Sequence, residues 1–130
     1  MKRGFVCGSF DLLHLGHMYF FQECKKQCGH LTVGIHVNRS FEHEEKVQPV
    51  QTVFERYMQL KHCKYVDEVV PYETEEDLVN ILAMGNYDIR FLGGDYQAQK
   101  SFITGQDIIP IKYIKRTHSY SSTKLRSRLP

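Results

Sequence analysis

Residues 5 to 17 read Phe-Val-Cys-Gly-Ser-Phe-Asp-Leu-Leu-His-Leu-Gly-His. The first three residues are apolar, as in a buried strand, and the glycine after them marks the point where that strand ends. His14 and His17 then fall where a first helix begins. A helix start carries unpaired backbone N–H groups and a partial positive charge, which together favour phosphate binding. The stretch therefore predicts a strand, a phosphate-binding loop and a helix in succession.

Beyond this unit the sequence predicts alternating strands and helices, with the fourth and fifth strands in succession. Predicted strands cover residues 3–7, 31–37, 65–70, 89–92 and 108–114. Predicted helices cover residues 16–27, 53–62, 77–84 and 121–129. Such alternation is typical of an α/β fold, with a Rossmann-like parallel β-sheet and helices on both faces. No repeat or low-complexity linker interrupts it, so we expect a single domain over residues 1–130.

The composition excludes several classes of protein. The chain is 42% hydrophobic and 25% charged, which is ordinary for a globular domain, and its net charge of +2 is too small to indicate a nucleic-acid partner. No apolar run approaches the ~20 residues that span a bilayer. Four cysteines without CxxC spacing indicate free thiols in a reducing compartment. We therefore expect a cytoplasmic protein that binds neither nucleic acid nor membrane.

The predicted topology brings several loops to one edge of the sheet. In parallel α/β sheets, ligands bind outside the carboxyl ends of the strands, where the strand order reverses. The loops expected at these ends cover residues 8–17, 38–49, 93–96 and 115–123. We expect them to form one site.

The two histidines of the first loop allow three interpretations. As neutral N–H donors, His14 and His17 would suit the negative charge that develops on a phosphate under attack. They could instead cap or pack a helix. With Asp11 they could also bind zinc, although the cysteine spacing and the neighbouring glutamate of zinc hydrolases are absent.

Three basic residues between positions 46 and 64 are candidate ligands of a phosphorylated substrate. Lys46 lies on a predicted loop that could close over a phosphate pocket, but its acidic neighbours equally predict a solvated lysine. Arg56 could reach the site or cap its own helix, and the same alternatives apply to Lys64.

The last of these loops, over residues 115–123, combines Arg116 with the hydroxyl residues Ser121, Ser122 and Thr123. Either of the two serines would make a good helix N-cap. Guanidinium, hydroxyl and backbone N–H groups would also form a second phosphate site there, and both interpretations are compatible.

Another candidate follows the predicted fourth strand. Asp95 comes after two glycines and would either lie in a plain turn or accept a hydrogen bond from a ligand hydroxyl or amine. Neither a GxGxxG nor a GxxxxGK[ST] motif is present, and no residue pattern indicates a covalent nucleophile. The motifs favour direct phosphoryl or nucleotidyl transfer by positioning and charge stabilisation.

Two of these stretches resemble the paired signatures of the cytidylyltransferase-like nucleotidyltransferases. Residues 8–17 resemble the GxFDxxHxGH signature, and residues 116–123 resemble RTxGISTT. Matches extend from residue 4 to about residue 128. In its short length and in residues 65–71 the chain also resembles the single-domain members that use glycerol 3-phosphate.

The resemblance implies a reaction and its components. CTP would transfer CMP to a phosphorylated alcohol, glycerol 3-phosphate or a related polyol phosphate, giving a CDP-alcohol for the cell envelope and pyrophosphate. Mg²⁺ would be bound mainly through the triphosphate, with no metal held by the protein alone, and the enzyme would be a homodimer. His14 and His17 would stabilise the α-phosphate, Lys46 would contact phosphates from its loop, and Arg116 would hold the β- and γ-phosphates.

The other matched positions would bind the two substrates. Those that line the nucleotide would be Gly8, Ser9, Phe10, Asp11, Asp95, Ser121, Ser122 and Thr123. The acceptor would be bound by Lys46, Arg56 and Lys64.

The chain departs from the family pattern at three places. His118-Ser119-Tyr120 replaces Glu-Gly-Ile in the second signature, Asn38 replaces an aspartate, and Lys64 stands where an arginine is usual. Residues 93–96 also resemble ATP-dependent adenylyltransferases that act on sugar phosphates such as heptose phosphate. The alternative functions are therefore ATP-dependent adenylyl transfer to a sugar phosphate and nucleotide sensing without catalysis.

Overall fold

The computed structural model describes residues 1–37, 48–94 and 103–130. Within these ranges the strands and helices follow the predicted order, in which β4 and β5 come one after the other with no described helix between them. In chain order the elements are β1 (Arg3–Gly8), α1 (Leu15–Lys25), β2 (His30–His36), α2 (Val53–Lys61), β3 (Glu68–Tyr72), α3 (Glu75–Met84), β4 (Ile89–Gly93), β5 (Ile111–Ile114) and α4 (Ser122–Arg126).

The five strands form one parallel sheet in the order β3-β2-β1-β4-β5. The chain first builds outward from β1 through β2 to β3, and then crosses back to place β4 on the other side of β1. The strand order therefore reverses between β1 and β4, whose carboxyl ends are Gly8 and Gly93. The predicted Rossmann-like α/β fold is confirmed.

Alternating side chains of the strands pack against helices on the two faces of the sheet. Val6 of β1 is buried in a cluster with Phe21 of α1 and Leu60 of α2. Its neighbour Phe5 points to the opposite face and packs with Leu78 of α3. Because successive side chains of a strand point to opposite sides, this arrangement requires helices on both faces.

The predicted third strand was placed too early in the chain. The prediction covered residues 65–70 and ended at Pro71, whereas β3 runs from Glu68 to Tyr72 and includes that proline. Among the described strands β3 pairs only with β2, so it is an edge strand in which the missing N–H of proline is tolerated.

The predicted fifth strand began too early for a related reason. Residues 108–110 do not join β5, because Ile108 N–H donates to Gly105 O and closes a turn just before Pro110. Gly105 has a φ of 74°, in the left-handed region that favours glycine. Only the four residues from Ile111 to Ile114 continue as a strand.

The predicted third helix also begins earlier than expected. It starts at Glu75 because Thr74 caps it: the Thr74 side chain accepts from Asp77 N–H at 3.0 Å. All four cysteines are free, as predicted. None of the helices in the described ranges has the length and apolar character needed to cross a bilayer.

Candidate active site

A cavity of about 380 Å³ opens at the carboxyl ends of β1, β4 and β5. Three of the loops that the sequence placed at this edge line it together. The first contributes Gly8, Ser9, Phe10, His14 and His17, the second Gly93 and Gly94, and the third Arg116, Ser121 and Ser122. This volume lies within the range of small-molecule sites.

His14 and His17 cap the first helix. His14 has extended backbone (φ −144°) and is the N-cap residue of α1, where its Nδ1 accepts from Gly16 N–H at 3.0 Å. His17 Nδ1 reaches back and accepts from His14 N–H at 3.2 Å. The pair forms a capping box, a motif usually built from a hydroxyl and a carboxylate or amide. The capping interpretation is thus confirmed, and the phosphate-binding role is compatible with it.

The capping bonds fix which ring nitrogen carries hydrogen. In a neutral imidazole one nitrogen donates and the other accepts. Because Nδ1 accepts in both rings, the hydrogen lies on Nε2. The two rings are adjacent, with centroids 4.1 Å apart, and both line the cavity. The helix cap therefore prepares two Nε2–H donors on one side of the helix start.

The surroundings keep both rings neutral at neutral pH. Burial, and then the neighbouring His14 and His118, lower the pKa of His17 from 6.5 to about 4. Burial also lowers the pKa of His14, helped by His118 and Arg116. Neutral rings keep the Nδ1 lone pairs that the cap requires.

We expect an NMR titration of the imidazole C–H resonances to give His17 a pKa of about 4. The unfolded chain binds a proton near pH 6.5 and the folded chain does so only near pH 4. The contribution of His17 to stability is therefore complete above pH 6.5 and is lost as the pH falls towards 4. His17→Gln should remove the low-pKa resonance and weaken this acid dependence. A pKa near 6.5 in the native protein would contradict the burial of a neutral His17 ring.

The first loop has a constrained backbone. Phe10 and Leu12 have φ values of 49° and 52°, a region in which residues with a Cβ are uncommon. Asp11, between them, accepts from Val50 N–H at 2.7 Å and from Gln51 N–H at 2.9 Å. Its carboxylate ties the loop to the start of α2 and does not line the cavity.

Arg56 also stabilises the first loop, through hydrogen bonds to its backbone. Its side chain is buried, with 1% of the residue exposed, and donates to the carbonyls of Ser9 (2.9 Å), His36 (2.8 Å) and Val37 (2.6 Å). A fourth bond goes to Gln51 O at 3.2 Å. The guanidinium thus joins the ends of β1 and β2 to α2. The structure places it behind the cavity wall, and its predicted contact with the acceptor stays a prediction.

The third loop begins with Arg116, which donates to the carbonyl of Tyr120 and so stabilises the turn. Ser121 caps α4, with its Oγ accepting from Lys124 N–H at 3.0 Å, as the capping interpretation predicted. Ser122 lines the cavity beside Ser121, whereas Thr123 is exposed and does not.

The structure does not test two of the predicted positions, and it places a third away from the cavity. Lys46 and Asp95, like Asn38, lie outside the described residues. Lys64 lies just beyond the end of α2, where its Nζ is 5.1 Å from the centre of the Tyr65 ring. Asp67, three residues on, donates its N–H to Leu31 O at the amino end of β2. The structure therefore places Lys64 at the edge of the sheet opposite the cavity.

The zinc interpretation has no support in the described part of the chain. No three His, Cys, Asp or Glu side chains within residues 1–37, 48–94 and 103–130 converge as metal ligands. The Nδ1 atoms of His14 and His17 are engaged in the cap, and Asp11 is bound to backbone N–H groups. The cavity offers imidazole, hydroxyl and guanidinium donors, which suit phosphate oxygens.

An aromatic part of the cavity was not predicted from the sequence. Tyr19 of α1 lines it, as do His118 and Tyr120 of the third loop. Tyr19 follows Gly16 by three residues and precedes Glu23 by four, and all three line the cavity. That helical spacing places them on one face of α1, and it is the signal that could have identified this wall.

Comparison with known proteins agrees with this architecture. The chain is 28% identical to the glycerol-3-phosphate cytidylyltransferase of Bacillus subtilis, covering 99% of this chain and 98% of that protein. It is 31% identical to the ethanolamine-phosphate cytidylyltransferase of Dictyostelium discoideum, covering 98% of this chain but only 36% of that longer protein.

A solved structure and a family model agree with these relatives. The lipopolysaccharide core biosynthesis protein of Thermoplasma volcanium superposes with a TM-score of 0.71 at 26% identity, over 92% of this chain and 99% of that one. The model of the cytidylyltransferase-like family matches residues 5–128. The chain therefore belongs to the cytidylyltransferase-like family.

Proposed function

We propose that this protein transfers CMP from CTP to glycerol 3-phosphate or a related polyol phosphate, releasing pyrophosphate. The observation that carries the proposal is the histidine capping box, which fixes two neutral Nε2–H donors beside a helix start in a cavity of about 380 Å³. Two such donors suit a phosphate whose negative charge increases during the reaction.

The transfer is a direct, in-line displacement. An oxygen of the acceptor phosphate forms a bond to the α-phosphorus of CTP, and the bond from that phosphorus to the β-phosphate oxygen breaks. The electron pair leaves with pyrophosphate, so no covalent intermediate with the protein is needed. His14 and His17 donate from Nε2 to the non-bridging oxygens of the α-phosphate as their charge rises.

The third loop supports the remaining phosphates in this proposal. Arg116, Ser121 and Ser122 line the same cavity and would contact the β- and γ-phosphates. The imidazole, hydroxyl and guanidinium groups of the cavity would donate hydrogen bonds to the phosphate oxygens. A Mg²⁺ ion would arrive on the triphosphate, where it would neutralise part of the charge. From the family resemblance we also expect Thr123, Asp95 and Lys46 to contact the substrates. The same resemblance predicts a homodimer.

Pyrophosphate release tests the reaction and its specificity. CTP and ATP would each be assayed with Mg²⁺ against glycerol, ribitol, choline, ethanolamine and heptose phosphates. We expect the highest kcat/KM for CTP with glycerol 3-phosphate or ribitol phosphate, and loss of release when EDTA removes Mg²⁺. A preference for ATP with heptose phosphate would replace the proposed substrates by the adenylyl-transfer alternative. No release with any pair would favour the sensing module.

A further inference from the structure

Three aromatic rings from two separate segments meet at one wall of the cavity. The Tyr19 ring lies 5.6 Å from His118 and 6.2 Å from Tyr120, and the His118 and Tyr120 rings are 5.8 Å apart, centre to centre. Their planes differ by only 29° to 37°. We call these three residues the aromatic wall.

The aromatic wall is held in place yet open to a ligand. His118 Nδ1 accepts from Tyr120 N–H at 3.1 Å, which fixes both residues in the third loop. Tyr19 remains 45% exposed and Tyr120 38% exposed, although both line the cavity. Apolar ring surface that stays accessible inside a polar-rimmed cavity is typical of a binding surface.

Gly16 brings the aromatic wall next to the phosphate-binding end. A Cβ added at Gly16 would lie 2.7 Å from His14 Cε1 and 2.9 Å from His118 Cε1. Only glycine at this position therefore lets both rings lie this close to the backbone of α1. The cavity therefore has two adjoining parts of different chemistry. One is lined by imidazole and hydroxyl groups, and the other is lined by the three aromatic rings.

We infer that the aromatic wall binds the nucleobase of the nucleoside triphosphate by stacking. This inference rests on the proposed function, because it assigns the second part of a nucleotide to the second part of the cavity. Phosphates match the donors, and a base offers a π-face that aromatic side chains stack on. A polyol phosphate has no such face. His118 and Tyr120 lie where the chain departs from the second signature, so this surface belongs to this chain.

The test compares a ligand that has a base with one that lacks it. In the variant Tyr19→Leu/Tyr120→Leu, titration calorimetry should show CTP binding weakened about tenfold to a hundredfold, the loss that corresponds to base–aromatic stacking. Inorganic tripolyphosphate should bind with unchanged affinity, because the imidazole and hydroxyl donors are retained. The matched variant Tyr19→Phe/Tyr120→Phe keeps the rings and should bind CTP like the wild type.

Two outcomes would overturn the inference. One is unchanged CTP binding in the leucine variant, and the other is an equal loss for CTP and tripolyphosphate, which would indicate a structural role only. Pyrophosphate release by the wild type is measured alongside. If release persists while either outcome occurs, the nucleobase assignment fails and the proposed function stands. If the wild type releases no pyrophosphate from any substrate pair, the proposed function fails.

Discussion

His17→Ala is expected to lower kcat for pyrophosphate release by about 100- to 1,000-fold, the effect of removing one donor that stabilises a developing oxyanion. The Nε2–H of His17 would act on the α-phosphate mainly in the transition state, so binding of CTP should change little. Steady-state kinetics and calorimetry with the same preparation measure both quantities. Turnover that survives the substitution would contradict the assigned role.

A matched substitution separates catalysis from helix capping. Alanine also removes the acceptor for His14 N–H, whereas glutamine at position 17 can still accept that bond, as in ordinary capping boxes. His17→Gln should therefore keep more of the free energy of unfolding than His17→Ala while losing comparable kcat. Activity restored by glutamine would show that turnover does not require the imidazole itself, because an amide can accept the capping bond and also donate an N–H.

Arg56→Met is expected to lower the free energy of unfolding by about 3 kcal/mol or more. The substitution removes the donor for four carbonyl groups, and each buried polar group left without a partner costs about 1–3 kcal/mol. That loss is a large part of the stability of a domain this size. Urea unfolding followed by circular dichroism gives the shift in midpoint at constant slope.

The same experiment distinguishes the two roles considered for Arg56. Arg56→Lys keeps a charge but cannot reproduce the planar set of donors, so its stability should fall between those of the wild type and Arg56→Met. If Arg56 only bound the acceptor, both variants would raise KM and leave the urea midpoint unchanged.

The fold was predictable because the signals that define it are local. Apolar runs and glycines placed most elements correctly, and alternation implied the parallel sheet. The error at the end of β3 came from Pro71, and the error at the start of β5 came from the turn between Gly105 and Ile108. A proline can lie inside a strand when that strand is at the edge of the sheet, as β3 is. Which strand lies at the edge depends on the strand order, and that order is a property of the whole chain.

The candidate site was predictable only in part, because some of its contacts join residues that are far apart in the sequence. The first and third loops carry dense local motifs, and the structure brings them together at the cavity. Arg56, however, contacts carbonyls 47 and 20 residues away in sequence, so no spacing pattern could reveal its burial. Tyr19 and His118 likewise lie on separate segments, and only the fold brings their rings together.

The histidine capping box carries an evolutionary consequence. Serine, threonine, aspartate and asparagine are the residues that best begin a helix, and histidine is not among them. Selection for stability alone would therefore replace His14 with one of these, at the expense of an Nε2–H donor. If the imidazoles act on phosphate as proposed, the start of α1 is a place where the residue best for folding and the residue best for chemistry differ.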